Sequence, residues 1–299
     1  MVAFLSPLIE PGFFSNLPVQ TALVVGGVVA VVSGIVGTFT VMRGQSFAGH
    51  SLADIGTAGG SAAFLLGISP LFGFVAMNLM AAGVMEWIGI RRPRGRDLAT
   101  GIVLGAALGL AALFLYLDST ASSTTGATIN VLFGSIFTLP SSMVPVIAIF
   151  SVVAAGIVLA MYRPLILSSI SSDLATAQGV RVRLVGIGYL AALAVAVSLS
   201  AVTIGAILST ALLIGPAATA LRLTNRPGRA AAFAAIIGVL ATWLGVLLAY
   251  DSYYWFPSTG GWPVSFFVVT LIFVIYLASQ IRFRARSGVQ SRSTATEAA

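Results

Sequence analysis

Two side chains in this sequence combine residue type and spacing in a way that suits ion chemistry. His50 and Asp54 stand four apart in the stretch SFAGHSLADIGTAGGSAAFLLG, residues 46–67. On a helix that spacing places both on one face, one turn from each other. A neutral imidazole nitrogen and a carboxylate oxygen presented together are part of a coordination sphere for divalent manganese, zinc or iron. The competing reading is a His–Asp hydrogen bond that satisfies two buried polar groups without a metal. Gly49, Ala53, Gly56, Gly59 and Gly60 leave room beside the pair for an ion path, and they equally permit close helix packing.

The remaining chemistry is sparse. The chain has no cysteine and one histidine, and all fifteen of its basic residues are arginine. Disulfides, thiolate metal sites, iron–sulfur clusters and multi-histidine zinc sites are therefore excluded. The absence of lysine excludes a P-loop and a Schiff-base nucleophile, so the chain is not itself a Walker-type ATPase, and no catalytic residue is expected. Glu86 precedes the cluster Arg91, Arg92, Arg94 and Arg96 by about one turn and is expected to snorkel to the interface, and Asn78 is weaker still as a candidate. Pro216 follows Gly215 in ALLIGPAATA and removes a backbone hydrogen bond mid-helix, which predicts a hinge or a static kink. In RPLILSSISSDLATAQGVRVR, residues 163–183, Ser171 or Ser172 can cap a helix, Asp173 suits its first turn, Leu174 and Ala175 continue it, and Gly179 ends it. That predicts a short helix lying across the membrane face, either a plain connector or a docking element.

The elements that must position these residues follow from composition. The 299 residues are 58% hydrophobic and 8% charged, with a mean hydropathy of +1.05 and a net charge of +7. This is an integral membrane protein, all-α and polytopic. A crossing needs about 20 largely apolar residues. Residues 21–42, 70–90, 98–117, 143–162, 230–250 and 264–281 qualify, and 184–221 is a double length that folds back near Thr203 to Gly205. Residues 46–67 are more polar but must cross for parity, giving nine crossings. All fifteen arginines then fall on one side, which the positive-inside rule makes cytoplasmic, with the N-terminus outside and the C-terminus inside. The expected layout is an extracytoplasmic segment 1–20, a permease domain 21–282, and a disordered cytoplasmic tail 283–299. The N-terminal stretch lacks a basic n-region and carries Glu10 between prolines, so it reads as retained. NVLFGSIFTLP, beginning at Asn130, is too short to cross and predicts an interfacial or re-entrant helix at the entrance. Gly101, Gly105 and Gly109 make a smooth helix face whose ordinary reading is packing within the bundle.

VSLSAVTIGAILSTALLIGPAATALRLT (197–224) closely resembles the signature of the metal-type ABC transporter permeases, the ABC-3 family, whose members carry manganese, zinc or iron. SSDLATAQGV (171–180) is similar to that family's coupling segment, and RRPRGRDLATGIVLG (91–105) to its turn into the next crossing. The resemblance runs from about Val24 to Leu277. It implies a homodimeric importer permease in the bacterial cytoplasmic membrane, with the path along the two-fold axis. A separate cytoplasmic ATPase would press on the helix around Asp173, and an extracytoplasmic metal-binding receptor would deliver the ion. The metal is then substrate rather than resident cofactor, membrane lipid is the surrounding partner, and no nucleic acid is expected. One departure stands out: family members place aspartate first and histidine four later, followed by Pro-Gly, whereas here His50 precedes Asp54 and the later pair is Ala58-Gly59. The rival readings are a proton-coupled secondary transporter or exporter, using the pair as a relay, and a passive membrane scaffold.

Overall fold

A computed structural model of the chain describes residues 12–88, 93–121, 126–134, 136–255 and 261–297. Most of the predicted N-terminal segment, Arg91 and Arg92 lie outside the described residues. Twelve α-helices and no strand occur among those that are described: α1 Leu17–Met42, α2 Ser46–Leu65, α3 Pro70–Ile88, α4 Pro93–Ala121, α5 Gly126–Phe133, α6 Val144–Ala160, α7 Tyr162–Ile170, α8 Ser172–Ala177, α9 Val182–Ile204, α10 Ala206–Leu223, α11 Pro227–Trp255 and α12 Val264–Glu297. Eight are long and apolar enough to cross a membrane. The 20-residue α2, the ninth predicted crossing, is not among the eight, because its length is matched by serine, threonine, histidine and aspartate.

Burial runs opposite to exposure in a water-soluble bundle. α9 forms the centre, buried without a break from Ala192 to Ile204, and packs on α1, α2, α3, α6 and α10. The periphery, α4 and α6 above all, turns Leu113, Ile149 and Val152 outward. An outer surface of this kind suits hydrocarbon, where backbone groups must be satisfied inside helices. With no hydrophobic drive between helices in lipid, close approach has to come from small residues. α1 shows how: a methyl group on Gly34 would stand 2.5 Å from the Ala235 backbone nitrogen in α11, and one on Gly37 would land on the Leu213 carbonyl oxygen in α10.

The predicted fold-back is a single residue. Gly205, at φ 92°, separates α9 from α10 in the left-handed region that glycine tolerates. The turn is covered as well as tight: Ile204, Gly205 and Ala206 are buried, and Gly134, at the end of α5, lies against their backbone. α5 is thus a short helix packed on α2, α4, α9 and α10.

One expectation needs correction. Gly101, Gly105 and Gly109 have nothing within 4 Å of where a Cβ would stand, so their smooth face points away from the bundle rather than packing inside it. α12 runs from Val264 to Glu297 and so extends into the stretch 283–299 that the sequence reading set apart as a tail.

Candidate functional site

α1 ends in a compact corner. Gly44, at φ 64°, donates its N–H to the Val41 carbonyl, and the Gln45 N–H bonds the Thr40 carbonyl, so the chain reverses within Arg43, Gly44 and Gln45 and α2 begins at once. His50 therefore sits in the second turn of α2, roughly 6 Å along the axis from its start. Asp54 follows one turn on. Thr57 and Ser61 extend the same face, and their hydroxyls donate to the backbone carbonyls of Asp54 and Thr57. His50, Asp54, Thr57 and Ser61 form a polar stripe at i, i+4, i+7 and i+11 along a helix otherwise made of small and apolar residues.

The pair meets as its spacing predicts. His50 Nε2 lies 3.7 Å from Asp54 Oδ2, with the two side chains 50% and 25% exposed. That distance is too long for a hydrogen bond, and the ring is instead oriented from across the bundle: His50 Nδ1 is 3.1 Å from Thr210 Oγ1 in α10. In the tautomer whose Nδ1–H donates to Thr210, Nε2 carries a lone pair facing a carboxylate oxygen. Two acceptors face to face repel each other, and a proton or a metal cation between them relieves the repulsion. An ion about 2.1 Å from each ligand sets them about 3.4 Å apart at a tetrahedral angle and about 3.0 Å apart at an octahedral one, so a small closing of side-chain torsions completes the bite. No group of three or more His, Cys, Asp or Glu side chains occurs among the described residues, so the pair supplies two ligands and leaves the rest of a coordination sphere to other groups.

Thr210 was not legible from sequence, being an isolated threonine 160 positions from His50. Asn78 was undervalued. It is fully buried in α3, donates through Nδ2 to Ser198 Oγ at 2.9 Å, and packs against Gly56 of α2. Its Oδ1, like the hydroxyl of fully buried Ser51 in α2, has no hydrogen-bond partner. Such orphans are rare in folded proteins, and here two of them belong to α2 or its immediate neighbour. Glu86 is half-buried near the end of α3, where it lines a cavity of about 210 Å³ with Trp87 and Arg183. At the other end of α2, α5 lines a cavity of about 420 Å³ through Asn130 and Val131, with Phe64, Pro70, Thr138 and Val202.

The other predicted residues occupy separate places. Gly215 and Pro216 lie inside α10, between Thr210 and the helix end, with Gly215 pressed on Ile272 of α12 and Pro216 buried. Any bend there moves the hydroxyl that orients His50 relative to the far end of α10. Ser171 caps α8, its Oγ accepting the Leu174 N–H at 3.2 Å. Gly179, at φ 79°, closes α8 through its N–H to the Thr176 carbonyl, while the Val180 N–H bonds the Ala175 carbonyl. Asp173 and Leu174 face outward, and Ala175 faces inward, fully buried.

The ABC 3 transport family model matches residues 17–280. The chain is 31% identical over 273 residues to the manganese transport system membrane protein MntC of Listeria innocua, covering 91% of this chain and 92% of that protein. It is 29% identical over 251 residues to the high-affinity zinc uptake system membrane protein ZnuB of Buchnera aphidicola, covering 84% and 93%. Among solved structures, PsaBC from Streptococcus pneumoniae in complex with Fab is similar, with a TM-score of 0.76, 25% identity, and 93% of this chain and 95% of that one covered. The helix order, the buried fold-back at Gly205 and the match from residue 17 to residue 280 together make this chain a member of the ABC 3 transport family.

Proposed function

We propose that this chain is the membrane permease subunit of an ATP-driven importer for a divalent transition-metal ion, manganese, zinc or iron, in the bacterial cytoplasmic membrane. The observation that carries the reading is the placement of His50 Nε2 3.7 Å from Asp54 Oδ2, with Nδ1 bonded to Thr210, two metal-type ligands on a polar stripe inside an apolar bundle. Names of relatives that move manganese and zinc support it. Without lysine the chain cannot cradle nucleotide phosphates, so hydrolysis belongs to a separate ATPase chain, which would dock on α8 through Leu174 at the arginine-rich, cytoplasmic end. A metal-binding receptor would deliver the ion at the opposite end, where α5 and the 420 Å³ cavity lie. A second copy of the chain would supply the remaining ligands across a two-fold axis, consistent with the open side of His50.

The test is charge against shape. Asp54→Asn keeps size and hydrogen bonding but loses the anion, and His50→Gln keeps packing volume but is a poor transition-metal ligand. Each variant, shown to insert and assemble normally, is expected to lower uptake of manganese or zinc by about tenfold or more, the scale set by loss of a metal-directed group. Parental uptake in both would make the pair structural. Uptake that persists without the ATPase and follows an imposed pH gradient would instead favour a proton-coupled carrier.

A further inference from the structure

Arg43 stands apart from the other arginines. Most of those whose exposure is described are exposed near helix ends, Arg222 of α10 with its contact to Tyr276 of α12 among them, whereas Arg43 is half-buried at the corner between α1 and α2 and reaches the segment before α8. Its Nη1 donates to Ser168 Oγ at 2.8 Å, and Ser168 in turn donates to the Leu165 carbonyl, so the guanidinium is tied to the backbone of α7 three residues before the Ser171 cap of α8. The same guanidinium stacks on the face of fully buried Tyr189 in α9, with its Cζ 5.1 Å from the ring centroid. Tyr189 donates its hydroxyl to Thr40 Oγ1 at 2.7 Å, which locks the ring to the last turn of α1. Arg43 thus joins three elements: the α1–α2 corner, the central helix α9, and the segment that leads into α8.

The mechanical consequence follows from the corner's stiffness. Gly44 and Gln45 are bonded back to Val41 and Thr40, so the last turn of α1 and the first turn of α2 shift as one body, and His50 is on the next turn. The main packing partners of α7 and α8 are α6, α9 and each other. Side chains carry the link from α7 to α1: Phe39 packs edge-on against Tyr162 at 5.8 Å, and Arg43 bonds Ser168. The first is apolar and can slide. The second is a directed fork over an aromatic face, with its planar geometry fixed by both partners.

We propose that Arg43 is the positioning residue that passes displacement of the α7–α8 segment to the start of α2, and so to His50 and Asp54. The proposal rests on α8 being the ATPase docking element. A cation shared between Ser168 and Tyr189 transmits a push in a way that a hydrophobic contact of equal area does not, because losing either partner leaves a half-buried charge poorly solvated.

The experiment uses the full permease with its ATPase and receptor in liposomes, with manganese and zinc chloride as probes. It reads metal taken up per ATP hydrolysed, metal binding at equilibrium, and ATPase copurification. Arg43→Gln is expected to lower uptake per ATP about tenfold, within the usual range of coupling between sites, while binding and copurification stay parental. Arg43→Lys, with charge but no fork, should fall between, and Ser168→Ala should fall in the same direction. The Arg43→Gln, Ser168→Ala double variant should be no worse than Arg43→Gln alone, since both break one link. An unchanged ratio in assembled Arg43→Gln overturns the proposal, as does an additive loss in the double variant. Should Arg43→Gln not assemble, Ser168→Ala decides alone: a lowered ratio supports the link and a parental ratio removes it. Failure of the docking reading looks different, because charged substitutions on α8 would then leave copurification intact.

Discussion

Thr210 bonds His50 Nδ1 and leaves Nε2 on the side of Asp54, so its effect on the proposed ion site can be separated from that of the ligands. Thr210→Val is nearly isosteric and removes only the hydroxyl bonded to His50 Nδ1, so the ring is free to turn Nε2 away from Asp54. Partners of this kind typically contribute 10- to 100-fold in metal affinity. We expect Thr210→Val to weaken manganese binding at equilibrium by about tenfold and Thr210→Ser to restore it, the restoration separating orientation from packing. Exchanging the ligands, His50→Asp with Asp54→His, moves the imidazole one turn further from the Arg43 corner and out of reach of Thr210 as now placed. Competition between manganese and zinc for uptake should therefore change its ratio in the exchanged protein. An unchanged preference would show that the order of the pair does not govern selectivity.

Elements whose signals are local were legible in the sequence, and contacts between distant elements were not. α8 was readable because its cap, acidic first turn and terminating glycine lie within nine residues, Ser171 to Gly179, and the structure forms each bond those residues predict. The fold-back at Gly205 was readable because a double-length apolar stretch must reverse near its middle, and of its four glycines Gly205 is the one that lies there and takes a positive φ. By contrast, the burial of that turn beneath α5 depends on Gly134, seventy-one positions earlier, which sequence periodicity cannot relate to it. The outward face of Gly101, Gly105 and Gly109 misled for a related reason, because small residues mark close approach without saying to what. α8 also yields an element-scale prediction. Leu174 is 48% exposed, while Ala175 is fully buried against the bundle. Leu174→Glu should abolish ATPase copurification and leave the permease inserted. Ala175→Glu should disrupt the fold itself, since an unpaired buried charge costs several kcal/mol. Unchanged copurification with Leu174→Glu would take α8 out of the coupling route.

At the scale of the whole molecule, the arginine-bearing turns and one cluster of aromatic residues mark opposite ends. Arg43 bonds Ser168 of α7, and Gly228 at the start of α11 lies against Tyr162, so the turns carrying arginine gather at one end. Phe13, Tyr250 and Tyr254 cluster near the start of α1 and the end of α11, with Trp262 and Phe267 stacked beside them. A chain without native cysteine suits direct testing of this polarity. Single cysteines at Ser169 and Gly228 should resist an impermeant thiol reagent in intact cells, and one at Ser258 should label. Labelling at Ser169 from outside would invert the proposed orientation. The polar character of α2 also bears on how the protein is made. The ribosome releases α2 before α3, α9 and α10 exist, so at that moment His50, Asp54 and the hydroxyls along its stripe have none of their later neighbours. A charged residue at a helix centre raises the insertion free energy by about 2.5 to 3.5 kcal/mol, enough to hold such a segment at the translocation channel rather than release it to lipid alone. Integration of α2 is therefore expected to wait for later helices, so that the polar stripe proposed for the ion would also set the order in which the nascent chain enters the membrane.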